Sequence, residues 1–418
     1  MQRWVSVRRA TAIGVLGLAA VLAGLPSAAF AAADPNKVLR VAFPTAETGF
    51  DPVRISDLYS NTVNEAIFER LLTYDYLARP AKLVPMVAET MPEITDNGRT
   101  YVFKIRKGIY YTPDPAFKGV KRELVAEDFV YAFKRFMDPK NRSPWQFMVE
   151  GKIEGLDELA EAAKKSGKFD YDAKVAGMQA VDRYTLRFKL KKTDYNFLYI
   201  CAHVPFGAIA REVVEAYRDD LQAHPVGTGP YLLKQWTRGS KIVLEANPDY
   251  RGFVWDFTPV DPVWDDPLVA TMKGKKMPQI GRVEITIIEE DQSRWLAFNQ
   301  KELDYLALPA TFRAQVFDAD NKLKPEWTAQ GVTMYRAIEP DISYTFFNFR
   351  DPLVGGFSKD KIALRRAVNM AYNLEDEIRV IRRYQAVAVQ MPIPQGVVGH
   401  DPGYKSINRY DPALANKL

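Results

Sequence analysis

The stretch that decides the fold reads Pro225, Val226, Gly227, Thr228, Gly229, Pro230, Tyr231 and closes at Asn247, Pro248, Asp249, Tyr250. Between these ends, residues 232–236 form an amphipathic strand, a polar break follows, and Ile242, Val243 and Leu244 make a second strand. Gly227 and Gly229 predict backbone angles closed to side chains, while Pro230 fixes φ and removes a donor, so the chain turns sharply before the first strand. These residues read as a structural turn before they read as ligand contacts.

Working outward, residues 38–43 alternate as a strand that ends at Pro44, and Asp51-Pro52 marks a turn. Residues 126–137 place Ala126, Phe129, Val130, Phe133, Phe136 and Met137 on one helical stripe, with Lys134 and Arg135 opposite. Glu127 and Asp128 in the first turn suit the helix dipole, but Val125 offers no capping oxygen, so another group must serve that end. Residues 184–190 alternate as a half-buried strand, 283–288 as another, and 344–349 as a further one. Residues 292–299 read as a short helix. In 358–383, Leu364, Ala367, Val368 and Ala371 mark the face that a helix would bury. The segment between Gly252 and Gly281, with Phe253, Trp255, Phe257, Trp264 and a basic run at Lys273, Lys275 and Lys276, reads as a long ordered insertion packed on its host.

Residues 1–31 have the make-up of a secretory signal: Arg3, Arg8 and Arg9, an apolar core from 10 to 25, and Ala29-Phe30-Ala31 as a small-x-small cleavage site. The apolar run is broken by Pro26, which disfavours a spanning helix. No cysteine lies near the cut to accept a lipid. Removing three arginines and no acid lowers the formal charge from +5 to +2, so nothing points to nucleic acid. The 387 residues that remain exceed one ordinary core, and 47% apolar residues suffice to fill two or three. Cys201 is the sole cysteine, expected in the core rather than in a disulfide.

Taken together, the 225–250 segment, the 38–52 strand and turn, the run at 67–72, 83–87 and 100–108, and the blocks at 303–306, 344–383 and 393–410 resemble the family 5 solute-binding proteins of ABC importers. The departures are Met91 in place of a usual tryptophan, Val125 in place of a threonine cap, and Gln300-Lys301 in place of a glycine. The resemblance implies an α/β, two-lobe periplasmic-binding-protein-like (type II) fold. On that pattern 32–66 and 183–281 form the first lobe, 67–182 an extra subdomain of it, and 282–418 an incomplete second lobe. Asp411-Pro412 opens a helix with only six residues after it, so the chain is expected to be a C-terminally truncated reading.

The same resemblance implies a monomer in the periplasm that holds a di- or oligopeptide non-covalently by lobe closure and hands it to ABC permease subunits, without a cofactor and without catalysis. It places Ala46, Glu47 and Thr48 in the loop after the first strand, Trp145 and Phe147 in an aromatic wall of the subdomain, and Asn348 and Arg350 beside a second-lobe strand. An oligosaccharide or metal chelate stays open as the ligand. His203, His224 and His400 are isolated, which disfavours metal ligation. One pattern belongs to another class: Ser358-Lys359-Asp360-Lys361 fits the S-x-x-K of exported serine hydrolases, but no S-D-N or K-T-G follows. Ser358 reads first as a helix N-cap.

Overall fold

In the computed structural model, residues 33–407 and 409–418 are described, so the secretory signal expected at 1–31 lies outside the described residues. Twelve strands occur among them. They are β1 (Asp34–Phe43), β2 (Leu72–Tyr74), β3 (Leu83–Pro85), β4 (Glu93–Thr95), β5 (Thr100–Lys104) and β6 (Met178–Asp182). There follow β7 (Thr185–Lys189), β8 (Tyr231–Thr237), β9 (Lys241–Ala246), β10 (Phe253–Val254), β11 (Lys276–Met277) and β12 (Ile280–Ile287). Three longer helices pack on them or close by: α1 (Leu58–Ile67), α2 (Ala126–Met137) and α3 (Leu156–Ser166).

Two four-stranded sheets result. The first has the order β1-β12-β9-β8, with β1 and β12 parallel and the other pairs antiparallel. The second, β4-β5-β7-β6, is antiparallel throughout. The division expected at 281/282 falls inside β12, whose residues 282–286 are laddered to β9, and the division at 182/183 would separate β6 from its hairpin partner β7. The 182/183 division was expected within the first lobe, between its extra subdomain and the rest.

The turn that opens the hairpin keeps its glycines for a reason other than the expected one. Neither Gly227 nor Gly229 has a positive φ. Instead, the carboxyl end of α1 lies against them: a Cβ on Gly227 would sit 2.0 Å from the Ile67 carbonyl oxygen, and one on Gly229 would sit 2.6 Å from that of Ala66. The approach is secured by the Gly229 N–H donating to Ile67 O at 2.8 Å, and the far turn by Asn247 Nδ2 donating to Gly229 O at 2.9 Å. Close backbone contact, not backbone angle, selects glycine here.

The missing cap of α2 is replaced as anticipated. Ala126 N–H donates to Arg183 O at 2.9 Å, and the Asp128 carboxylate reaches back to Val125 N–H at 2.9 Å. Lys134 and Arg135, placed opposite the apolar stripe, are both buried as well. Helix α2 is enclosed on that side as well, and each charge has found a partner: Lys134 Nζ donates to Tyr171 O at 2.8 Å, and Arg135 forks onto Asp51 at 3.0 and 2.8 Å. One continuous core joins α1, α2, β5 and β7, with Phe103, Phe133, Phe188, Phe197 and Phe206 in mutual ring contact. Cys201 lies within it, and burial pushes its thiol pKa up, away from reactivity.

Beyond β12 the chain changes character. Helix Asp291–Asn299 contributes Trp295 to a small core with Phe312, Val316 and Phe317. Residues 344–349, expected as a strand, form none: they have no ladder partner among the described residues, and a strand exists only in pairing. Helix Lys359–Ala371 forms where expected, yet Leu364 and Val368 on its anticipated core face are exposed and Met370 alone is buried. The amphipathic pattern is present, but Leu364 and Val368 stay exposed although Asp411 N–H reaches the end of the helix at Met370 O, 2.8 Å away.

Candidate functional site

The loop after β1 is set by its neighbours on either side. Glu47 is only 3% exposed, and its Oε1 accepts from the Trp236 indole N–H at 2.5 Å and from Gly239 N–H at 2.9 Å. One carboxylate oxygen therefore pins the loop to the β8–β9 turn, while the other, Oε2, is buried with no hydrogen-bond partner. Ala46 is half-buried beside it, and a Cβ on Gly239 would come 3.9 Å from the Ala46 methyl. Thr48 is exposed, and it ties the loop to the start of α1: its N–H donates to Ser60 Oγ at 2.9 Å and its hydroxyl to Asp57 Oδ2 at 2.5 Å.

Asp57 is the N-cap of α1, accepting from Ser60 N–H at 2.7 Å. Burial raises its pKa, but hydrogen bonds from Thr48 and Ser60 outweigh that cost and hold the carboxyl below the ordinary aspartate range. The segment from Ile55 to Ser60 also receives Trp145, whose indole N–H donates to Ile55 O at 2.6 Å. The Trp145 ring meets His203 edge-on at 4.6 Å, and burial, then the Arg70 charge, keeps the His203 imidazole pKa below its usual value. Phe147 projects from the same turn, 67% exposed.

Of the seven anticipated residues, Thr48 and Trp145 tie to the segment 55–60, Ala46 and Glu47 lie at the β8–β9 turn, and Phe147 sits on the same turn as Trp145. The other two do not join them. Asn348 and Arg350 sit in an exposed turn where Asn348 Oδ1 accepts from Arg350 N–H at 3.1 Å, a local backbone role. Asp57, Ser60 and Trp236 organise the loop and were not singled out from sequence; an aspartate three residues before a serine at a helix start was the available signal. Arg70 was also missed: it is buried, with Nη2 on Glu65 Oε1 at 3.0 Å and Thr73 Oγ1 at 3.1 Å.

A cavity of about 3010 Å³ lies elsewhere, walled by residues such as Trp264, Trp295, Asp304, Tyr335 and Tyr410. It is several times the roughly 300–1,000 Å³ of a small-molecule pocket, and none of the seven anticipated residues lines it. Most of its walls come from the region after β12, polar and apolar side chains alike, joined by Arg40, Arg79, Asp261 and Trp264.

The S-x-x-K pattern does not assemble a catalytic pair. Lys361 Nζ donates to Leu353 O at 2.6 Å, and Ser358, exposed at the N-cap position of its helix, makes no capping hydrogen bond. The expected cap is realised in position and backbone conformation only. Among the described residues no group of three or more His, Cys, Asp or Glu side chains could hold a metal ion, and no helix is long and apolar enough to cross a membrane.

A β1-β12-β9-β8 sheet with an antiparallel β4-β5-β7-β6 sheet inserted between its strands is an α/β arrangement of the periplasmic-binding-protein-like (type II) kind. Residues 82–418 match the sequence model of the bacterial extracellular solute-binding proteins, family 5 Middle, and the chain belongs to this family. Di/tripeptide-binding protein 2 of Pseudomonas aeruginosa (strain UCBPP-PA14) is 24% identical over 397 residues, 91% of this chain and 63% of that protein. The dipeptide-binding protein of Escherichia coli (strain K12) is 24% identical over 385 residues, 88% of this chain and 60% of that one. Among solved structures, DppA from Helicobacter pylori in complex with the peptide STSA superposes with a TM-score of 0.63 at 21% identity, covering 91% of this chain and 65% of that chain. MoaA in complex with mannopinic acid, from A. tumefaciens R10, superposes with a TM-score of 0.62 at 20% identity, covering 91% and 64%. The chain thus spans somewhat under two thirds of the length of these relatives. Two ligand chemistries on one fold mean that the fold alone does not choose the solute.

Proposed function

We propose that this chain is the solute-binding component of an ABC importer, working as a monomer in the periplasm once the segment ending near Ala31 is removed. Its solute is a di- or oligopeptide, held without covalent chemistry and passed to the permease; nucleic acid has no part in it. The observation that carries this reading is the family match over 82–418, whose similar proteins include several named for di- and tripeptides. In this reading residues 32–66 and 183–281 form the first lobe, 67–182 its extra subdomain, and 282–418 belong to the second lobe.

The loop Ala46-Glu47-Thr48 and the Trp145-Phe147 turn form the first lobe's wall of the cleft. This is supported by the unpartnered Glu47 Oε2, whose free lone pairs suit a peptide's amine or N–H, and by the exposed ring of Phe147. Asn348 and Arg350 face the ligand from the second lobe after closure about the connectors. Main-chain hydrogen bonds worth roughly 0.5–1.5 kcal/mol each, added to apolar burial, give broad sequence tolerance. Mass spectrometry of small molecules that co-purify with the protein tests the solute class. Peptide masses are the expected result, and a population made up only of sugars or metal chelates would overturn it.

A further inference from the structure

Most polar side chains joined through the segment 55–60 already have partners within the chain. Thr48 donates its hydroxyl to Asp57, Asp57 also accepts from Ser60 N–H, and the Trp145 indole N–H is held by Ile55 O at 2.6 Å. Glu47 Oε1 is taken up by Trp236 and Gly239, and its Oε2, though unpartnered, is closed off from solvent. His203 differs from all of these. Its backbone is engaged, the N–H donating to Ile200 O at 3.1 Å and the carbonyl accepting from Phe206 N–H at 3.0 Å, yet its imidazole makes no hydrogen bond to any described residue. The ring is partly open to solvent, and its orientation is fixed. Trp145 meets it edge-on at 4.6 Å and an interplanar angle of 86°, and the Phe206 ring lies 6.2 Å away. Trp145 is in turn locked to Ile55, and Phe147 projects exposed from the same turn.

We propose that His203 is a specificity-determining residue, whose imidazole hydrogen-bonds one peptide linkage of the ligand beside the Trp145 ring. The physical case is that a half-buried polar group without a partner recovers its hydrogen bonds only from what binds there, and a ring already clamped by an aromatic neighbour loses little freedom in doing so. Burial and the Arg70 charge keep the imidazole neutral, so one nitrogen donates and the other accepts. An amide offers the matching pair, an N–H and a carbonyl. The same Arg70 charge disfavours a ligand ammonium at this point, which leaves the neutral linkage as the group that fits.

This inference rests on the peptide-binding reading, and the experiment separates the two. The unaltered chain and its His203→Phe and His203→Gln variants are titrated calorimetrically with a tetrapeptide that the unaltered chain binds, such as tetraalanine. Each is titrated also with the analogues in which one amide at a time is replaced by an ester, which removes the N–H and weakens the carbonyl as an acceptor. Circular dichroism confirms equal folding. His203→Phe keeps a ring against Trp145 but has neither nitrogen, and is expected to bind the tetrapeptide about threefold to tenfold more weakly, the worth of one hydrogen bond. At one linkage the ester should cost the unaltered chain a similar factor and cost His203→Phe nothing. His203→Gln, which restores a donor and an acceptor, should recover part of the affinity and part of that ester penalty. Should His203→Phe not fold, His203→Leu gives the same comparison. Ester penalties that are the same at every linkage in the unaltered chain and the folded variant lacking both nitrogens would overturn the role of His203. Failure of the unaltered chain to bind any peptide would instead overturn the functional reading.

Discussion

The region up to β12 and the region after it use similar side chains to opposite ends. In the first, Phe103, Phe133 and Phe188 are wholly enclosed by two sheets and α2. In the second, Phe346 is 76% exposed, and Tyr344, Phe349 and Phe357 also face outward. Burying such a side chain contributes about 1.5–3 kcal/mol, so the first region holds its stability in its core while the second draws little from these residues. Apolar composition is therefore no measure of stability; what covers an apolar face decides its contribution.

The sharpest way to break this contrast is Arg135→Ala. It leaves the enclosed Asp51 with only the longer contact to Arg54 at 3.8 Å in place of the bidentate Arg135 fork, and a loss of about 3 kcal/mol is expected in the chemical denaturation of the first region. A loss below about 1 kcal/mol would mean that the pair is hydrated and the core less sealed than described. Next in size is Gly227→Ala. Its Cβ would collide with the Ile67 carbonyl, and overpacking of this kind costs about 1–3 kcal/mol; a neutral result would show that α1 yields at its carboxyl end.

Asp57→Ala removes the α1 cap and is expected to cost about 1 kcal/mol. The pH dependence has a definite sign. Because the folded carboxyl titrates below its unfolded value near about 4, its contribution is full above that value and is lost as pH falls through the lowered folded pKa. Denaturation midpoints of the native and Asp57→Ala chains should therefore converge in strong acid and stay apart at neutral pH. The smallest effect is expected in the second region: Phe346→Ser should stay within about 0.5 kcal/mol, as for other surface changes. A loss comparable to that of a first-region phenylalanine would show that the outward face is covered in solution.

The first region was legible because its signals are local. The alternation of 38–43, the stripe of α2 and the 225–250 hairpin each follow from the period of side chains on a strand or helix, and all three appear where read. Partnership is not local. Residues 344–349 have a strand's composition and Leu364 and Val368 a core helix's spacing, but neither property says whether a covering element is present. Glu47 was singled out for its place after the first strand, and its tie to Trp236, 189 residues on, had no sequence signal. Arg135 illustrates the same limit: a polar helix face implies solvent unless a distant Asp51 supplies the counter-charge.

The central claim is that this family 5 chain holds a peptide by non-covalent contact, and isothermal titration of the purified protein with a tripeptide mixture tests it most directly. The account predicts saturable one-site binding near micromolar dissociation constants, about −8 kcal/mol. A folded protein that gives no saturable heat with any peptide up to millimolar concentration would contradict it.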